Sequence, residues 1–301
     1  MSQTNSGNAI AHQHAHMSTP ALLFIGGAVR SGSTLFAGMA AAASDGFDAG
    51  ELHLFWRSLA RGRLCTCGDP LTECKVWAPV QRDALARAGL PDLADAVNLE
   101  TGEPRQRMVA VKGSKVRVSP DLVQLRACTE SAIREVTGRE VIVDSSKMAS
   151  AAVVASKAGA RLTLVQLVRD PRAVAYSLSH PKPDPSLQGA PLPSRPAWRA
   201  ALQWMSGNLA YERLSTKDQP VVRIRYEDFV LHPNDQLARL GAMAPLDGAV
   251  ASGPHAIAGN PWRFGPPASL HVDDRWREDL SDRDRRVVET LTYPLRSRYG
   301  Y

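Results

Sequence analysis

Nowhere in this sequence do eighteen apolar residues stand in a row, which argues against a membrane-spanning helix. The first eighteen residues lack a cationic start followed by an apolar run, so they do not read as a secretory signal, and the cytoplasm is the expected location. Basic residues are not clustered. Without a run of five or more lysines and arginines, a nucleic-acid-binding arm is not indicated. Cysteine is scarce, four in 301 residues. Three of the four, Cys65, Cys67 and Cys74, share the stretch Cys-Thr-Cys-Gly-Asp-Pro-Leu-Thr-Glu-Cys. A one-residue gap with no second pair nearby is a poor zinc pattern. Reduced structural thiols are expected there, with a disulfide through Cys74 or a metal as alternatives.

What is present is ordinary for a globular chain: 44% hydrophobic and 22% charged residues allow a substantial core. The net charge of +6, carried by dispersed arginines, favours a compact anion as partner. Residues 1–18 are polar and include His12, His14 and His16. With nothing nearby to form a buried second shell, they read as a disordered tail. Residues 19–301 read as a single domain.

An apolar run, Leu22 to Gly27, ends in glycines and is followed by the alanine-rich Thr34 to Ala43, a strand, tight loop and helix. Further strands are expected at Met108–Val111, Val141–Val143, Leu162–Val168 and Val221–Ile224. Helices are expected at Asp121–Thr137, Ala149–Ala158 and Pro171–Ser179, and an amphipathic one at Ser281–Arg298 packs on the sheet. Alternation of this kind predicts an α/β fold: a phosphate-loop-type, three-layer domain with a mostly parallel central sheet and ligands at the strand carboxyl ends. Six prolines fall between His180 and Pro196. They make 180–197 a long non-helical connection, either a lid or an exposed spacer.

The strongest local signal is Gly26-Gly27-Ala28-Val29-Arg30-Ser31-Gly32-Ser33-Thr34. Between a strand and a helix, successive N–H groups and the positive helix end form a phosphate cradle. The frame nearly matches the loop Gly-x4-Gly-Lys-Ser/Thr of nucleotide hydrolases, but Ser33 occupies the lysine position and the cation, Arg30, comes three residues earlier. A kinase or ATPase needs that lysine on the terminal phosphates. A second element starts at Arg169, delivered by a strand end. Asp170 caps the next helix, Pro171 fits its first turn, and Ser177 lies two turns along on the face of Asp170. An arginine and a hydroxyl converging on a helix start form an anion site by charge-assisted hydrogen bonds.

The Arg-Ser-Gly-Ser-Thr segment resembles the 5′-phosphosulfate loop of sulfotransferases that use 3′-phosphoadenylyl sulfate (PAPS), particularly the bacterial and tyrosylprotein-type branch. The resemblance implies that Arg30, Ser31, Gly32, Ser33 and Thr34 hold the 5′-phosphate. The Arg169 element is similar to the family's 3′-phosphate element, which implies that role for Arg169 and Ser177. Val141-Ile-Val-Asp-Ser-Ser-Lys147 looks like the family's strand ending in a lysine near the donor. Arg225-Tyr-Glu-Asp-Phe229 resembles its tyrosine-bearing strand and implies that Tyr226 meets the adenosine. His255 to Arg263 resembles a loop closing over the nucleotide, with Asn260 and Arg263 in it. These likenesses run from about Ala21 to Trp276.

Sulfuryl transfer to a hydroxyl implies cations on the leaving oxygen, here Arg30 and Lys147, and a base on the acceptor. Glu51 stands at the family's spacing for a catalytic glutamate. Its neighbours Leu52, Leu54 and Trp56 are expected to close an apolar pocket round it and raise its pKa. Where tyrosylprotein enzymes have two consecutive glutamates, this chain has one, and His53 is the alternative base. The chemistry calls for no metal. The expected acceptor is a hydroxyl of a small metabolite, sugar or lipid. A phosphate-loop kinase or ATPase, or an inactive nucleotide-binding protein on the same fold, are the rival functions.

Overall fold

The computed structural model describes residues 22–180, 183–187, 189–190, 193–217, 219–241, 243–246, 253–265 and 269–301. The expected N-terminal tail, with His12, His14 and His16, lies outside the described residues, as do 181, 182, 188, 191 and 192 of the proline-rich connection.

Five strands form one sheet: β1 (Leu22–Gly27), β2 (Phe47–Gly50), β3 (Ile142–Lys147), β4 (Leu162–Val168) and β5 (Val221–Arg225). Their order is β2-β3-β1-β4-β5 and every pairing is parallel. The central strands β1 and β3 bury every residue, as strands covered on both faces must. Leu22 and Phe24 point to one face, against the helices Ala149–Lys157 and Ala197–Glu212. Leu23 and Ile25 point to the other, against α1 (Ser33–Ala43) and Phe229. The expected α/β architecture is the one observed.

Three expectations need correction. Met108–Val111 is not a strand but part of the helix Gln106–Lys112, in which only Val109 is buried while Met108 and Val111 are exposed. One buried residue per turn is a helical pattern, and four apolar letters are too few to distinguish it from a strand. Tyr226 is not on β5 but is the first residue of the helix Tyr226–Leu231 that follows it. The C-terminal helix Asp282–Arg298 packs through Val288 and Leu295 on the helices Pro171–Ser179 and Ala197–Glu212, forming an outer layer over them. Strand β2 went unread because its sequence, Phe-Asp-Ala-Gly, carries an acid in the middle.

That acid, Asp48, is buried and accepts a hydrogen bond from the Gly50 N–H at 3.0 Å. Burial raises its pKa to about 6, against the opposing effect of hydrogen bonds from the Gly50 and Gly253 backbone. A carboxyl with a raised folded-state pKa favours folding while protonated, and the contribution fades as pH climbs through that pKa. The loss between about pH 4 and about pH 6 is at most about 3 kcal/mol. Asp48→Asn keeps an acceptor oxygen and carries no charge. Its melting temperature relative to the parent should therefore improve as pH rises from about 4 to about 7; parallel profiles would mean that Asp48 titrates as it does in the unfolded chain.

Candidate functional site

All five strands deliver a side chain to one place at their carboxyl ends. A cavity of about 360 Å³ opens there, lined by Arg30, Gly32, Ser33 and Thr34 after β1, Glu51 after β2 and Lys147 at the end of β3. Arg169 after β4 and Tyr226 after β5 complete that floor. Ligand sites of open parallel sheets form at this edge, where the strand order reverses about β1.

The loop after β1 owes its shape to glycine. At Gly32 φ is 92°, and a Cβ there would lie 2.3 Å from the Tyr226 ring, so only glycine lets the tyrosine pack under the loop. The loop carbonyl of Gly32 accepts from the Phe36 N–H at 3.1 Å and starts α1. Ser31 and Ser33 are buried, and neither hydroxyl has a hydrogen-bond partner among the described residues. Ser33 lines the cavity, where its unsatisfied hydroxyl at a helix start fits an anion that supplies the missing acceptor, whereas Ser31 is fully buried and does not line it. Thr34 is already engaged: its Oγ1 accepts from the Asn260 N–H at 3.0 Å.

Arg30 adopts φ 67°, and Lys147 φ 63°. Of the four described non-glycine residues with positive φ, these two and Ala258 line the cavity, so backbone strain concentrates at the site. Arg30 donates from Nε to Ser177 Oγ at 2.9 Å, and no carboxylate of the described residues pairs with it. Burial lowers its pKa, and the Arg169 guanidinium beside it lowers it further. Arg169 is buried, donates to the Arg30 carbonyl at 3.3 Å and lies over the Tyr226 ring at 4.9 Å. Its nearest carboxylate oxygen, on Asp273, is 4.0 Å away, and Asp273 is held at 2.8 Å by Arg275. The hydroxyl expected to work with Arg169 is thus bonded to Arg30 instead, though Ser177 and Arg169 both face the cavity.

Lys147 is 7% exposed, so its ammonium is held inside the site rather than in solvent. Its ammonium pairs with Glu51 Oε1 and donates to the Ser145 carbonyl at 3.2 Å. Of the apolar residues expected to close round Glu51, only Leu54 lines the cavity; Leu52 and Trp56 turn into the core, and the carboxylate meets an ammonium. His53 is not on the cavity wall. It lines a smaller hollow with Glu100 and Arg126, and burial lowers its pKa to about 4.

Asn260 borders the cavity, but Arg263 does not. The Arg263 guanidinium is buried and bonded to the Gly259 carbonyl at 3.0 Å, Ser186 Oγ at 2.8 Å and Asp184 Oδ1 at 3.2 Å. It therefore ties the 255–263 loop to the proline-rich connection, of which His180, Asp184, Pro193 and Arg195 line the cavity. Arg63, Arg195, Asp273 and Arg275 also line the site and were not singled out from the sequence. Isolated arginines outside a recognisable motif gave no signal.

No family model matches the chain, and no match was found among curated proteins. Solved structures do match. The "Sulfotransferase Domain from the Synechococcus PCC 7002 Olefin Synthase" aligns over 93% of this chain and 94% of its own at 18% identity, with a TM-score of 0.50. The "Sulfotransferase Domain from the Curacin Biosynthetic Pathway" aligns over 91% and 98%, also at 18% identity and a TM-score of 0.50. The chain therefore has a fold like that of sulfotransferase domains.

Proposed function

We propose that this protein transfers a sulfuryl group from PAPS to a hydroxyl of a small metabolite, sugar or lipid acceptor. The observation that carries the proposal is the convergence of Arg30 and Arg169 on a loop whose Ser33 faces the cavity and whose Ser31 and Ser33 hydroxyls have no partner among the described residues. In this reading the loop N–H groups, Ser31, Ser33 and Thr34 hold the 5′-phosphate, while Arg169 and Ser177 hold the 3′-phosphate. Tyr226 lies against the adenosine, and Asn260 with the loop that Arg263 anchors closes over it.

The acceptor oxygen forms a bond to sulfur as the bond from sulfur to the bridging phosphate oxygen breaks. Glu51 takes the hydroxyl proton, and adenosine 3′,5′-bisphosphate leaves. Arg30 and Lys147 stabilise the charge that grows on the bridging oxygen, a contribution largest when the donors are already in place. The bond from Lys147 to Glu51 couples the acid-accepting and charge-stabilising ends of the reaction. Apolar lining by Leu35, Leu54, Leu178 and Trp262 suits an acceptor with a hydrocarbon or ring body. ATP hydrolysis fits less well. Ser33 replaces the lysine that grips terminal phosphates, and Asp144, the acid on β3, is tied to Arg126 at 2.7 Å.

Binding titrations test the donor assignment. Arg169→Ala should weaken adenosine 3′,5′-bisphosphate by about 10-fold or more, the worth of a charge-assisted contact of about 1.5–3 kcal/mol. The same change should barely affect adenosine 5′-monophosphate; equal losses for both nucleotides would make Arg169 a structural residue. For the base, Glu51→Gln should leave nucleotide binding intact and lower turnover by about 10²–10⁴. His53→Asn should be mild. An active glutamine variant beside an inactive asparagine variant would move the base to His53.

A further inference from the structure

Cys65, Cys67 and Cys74 lie on a compact turn that the chain builds before the helix Trp77–Ala88. Leu64 and Pro70 form an antiparallel bridge, the Cys65 N–H donates to the Asp69 carbonyl at 2.8 Å, and the Gly68 N–H donates to the Cys65 carbonyl at 3.0 Å. Gly68 makes the reversal at φ 97°, and Cys74 follows on a turn begun at Pro70. The fold then brings His255 to the same point from 181 residues beyond Cys74. Its Nδ1 lies 3.3 Å from Cys74 Sγ and 3.6 Å from Cys65 Sγ. Cys74 Sγ is 3.6 Å from Cys65 Sγ and 3.7 Å from Cys67 Sγ.

Those four separations are close to the edges of a metal tetrahedron, and the other two lie within 4.8 Å. With zinc–sulfur bonds of about 2.3 Å and zinc–nitrogen bonds of about 2.0–2.1 Å, tetrahedral geometry puts sulfurs about 3.8 Å apart and sulfur about 3.6 Å from nitrogen. All four ligand atoms lie within 4.8 Å of one another, and the cysteines are unbridged. We infer that Cys65, Cys67, Cys74 and His255 form a structural zinc site. Three thiolates and an imidazole select a soft, four-coordinate ion, and a full protein ligand set leaves no position for substrate. Binding displaces the thiol protons to solvent as the sulfurs become thiolates. The sequence pattern looked poor for zinc because its fourth ligand is not near the other three in the chain.

Outer contacts hold the two segments together. Trp77 Nε1 donates to the His255 carbonyl at 2.5 Å, and Thr66 Oγ1 donates to the Gly253 carbonyl at 3.1 Å. Two residues beyond His255, the Ile257 carbonyl accepts from the Glu51 N–H at 2.8 Å and the Ile257 N–H donates to the Ala49 carbonyl at 3.2 Å. Ala258, Gly259 and Asn260 follow and line the cavity. Zinc therefore pins the segment that fixes the Glu51 backbone and roofs the phosphate loop. The site does not depend on sulfuryl transfer from PAPS.

The full chain, produced with added zinc and desalted, should retain about one zinc per molecule by elemental analysis. Titrating its thiols with a mercurial should release the metal. Cobalt(II) in place of zinc should give the intense visible bands of tetrahedral thiolate coordination. Cys67→Ser, at an exposed position that spares the core, and His255→Ala should each weaken the metal by on the order of 100-fold or more. Substoichiometric zinc in the parent chain would overturn the site. So would a disulfide among these cysteines in the unreduced chain, or cobalt spectra that both variants leave unchanged.

Discussion

Arg30 and Arg169 are held side by side at the carboxyl edge of the sheet, and like charges so placed repel each other. The fold tolerates the arrangement because it forces it. Arg30 is locked into a left-handed backbone conformation by the loop, and Arg169 is buried against Tyr226 and the Arg30 carbonyl. Positive charge whose nearest carboxylate oxygen is 4.0 Å from Arg169 is relieved by an anion, and the Ser31 and Ser33 hydroxyls of the same loop have no partner among the described residues. The rest of the site follows from this. Gly32 is needed so that Tyr226 can support the loop from below, and Asn260 closes on Thr34 from above.

The parallel sheet makes such convergence economical, because each crossover returns the chain so that every strand ends on the same side. Five successive strand ends supply the loop, Glu51, Lys147, Arg169 and Tyr226. The two segments that finish the cavity, the proline-rich connection and the 255–263 loop, are bound to one another by the buried Arg263–Asp184 pair. A buried pair of this kind contributes little net stability, yet breaking it leaves an uncompensated charge, so it fixes the relative placement of the two segments.

How legible each part was depended on how local its determinants are. Strands β1 and β4 and the helix Pro171–Ser179 have the predicted ends because their signals are contiguous: an apolar run buried on both faces, or Asp170 and Pro171 at a helix start. The tight loop between β1 and α1 was readable for the same reason. Strand β2 was hidden by Asp48, whose polarity is satisfied by backbone N–H groups that no sequence window reveals. Met108–Val111 misled because a short apolar run does not specify its own period. The partners of Glu51 and Cys74 were out of reach, since Lys147 and His255 arrive from 96 and 181 residues away. Long-range pairing is decided by topology, and the letters near a residue do not carry it.

A calorimetric titration of the full chain with adenosine 3′,5′-bisphosphate, set against ATP with magnesium, tests the central claim most directly. If Arg30 and Arg169 serve a donor with phosphates at both the 3′ and 5′ positions, the chain should bind the bisphosphate at least about 10-fold more tightly, since each charge-assisted contact is worth about 1.5–3 kcal/mol. Tighter binding of magnesium–ATP would contradict the assignment and return the loop to phosphoryl chemistry.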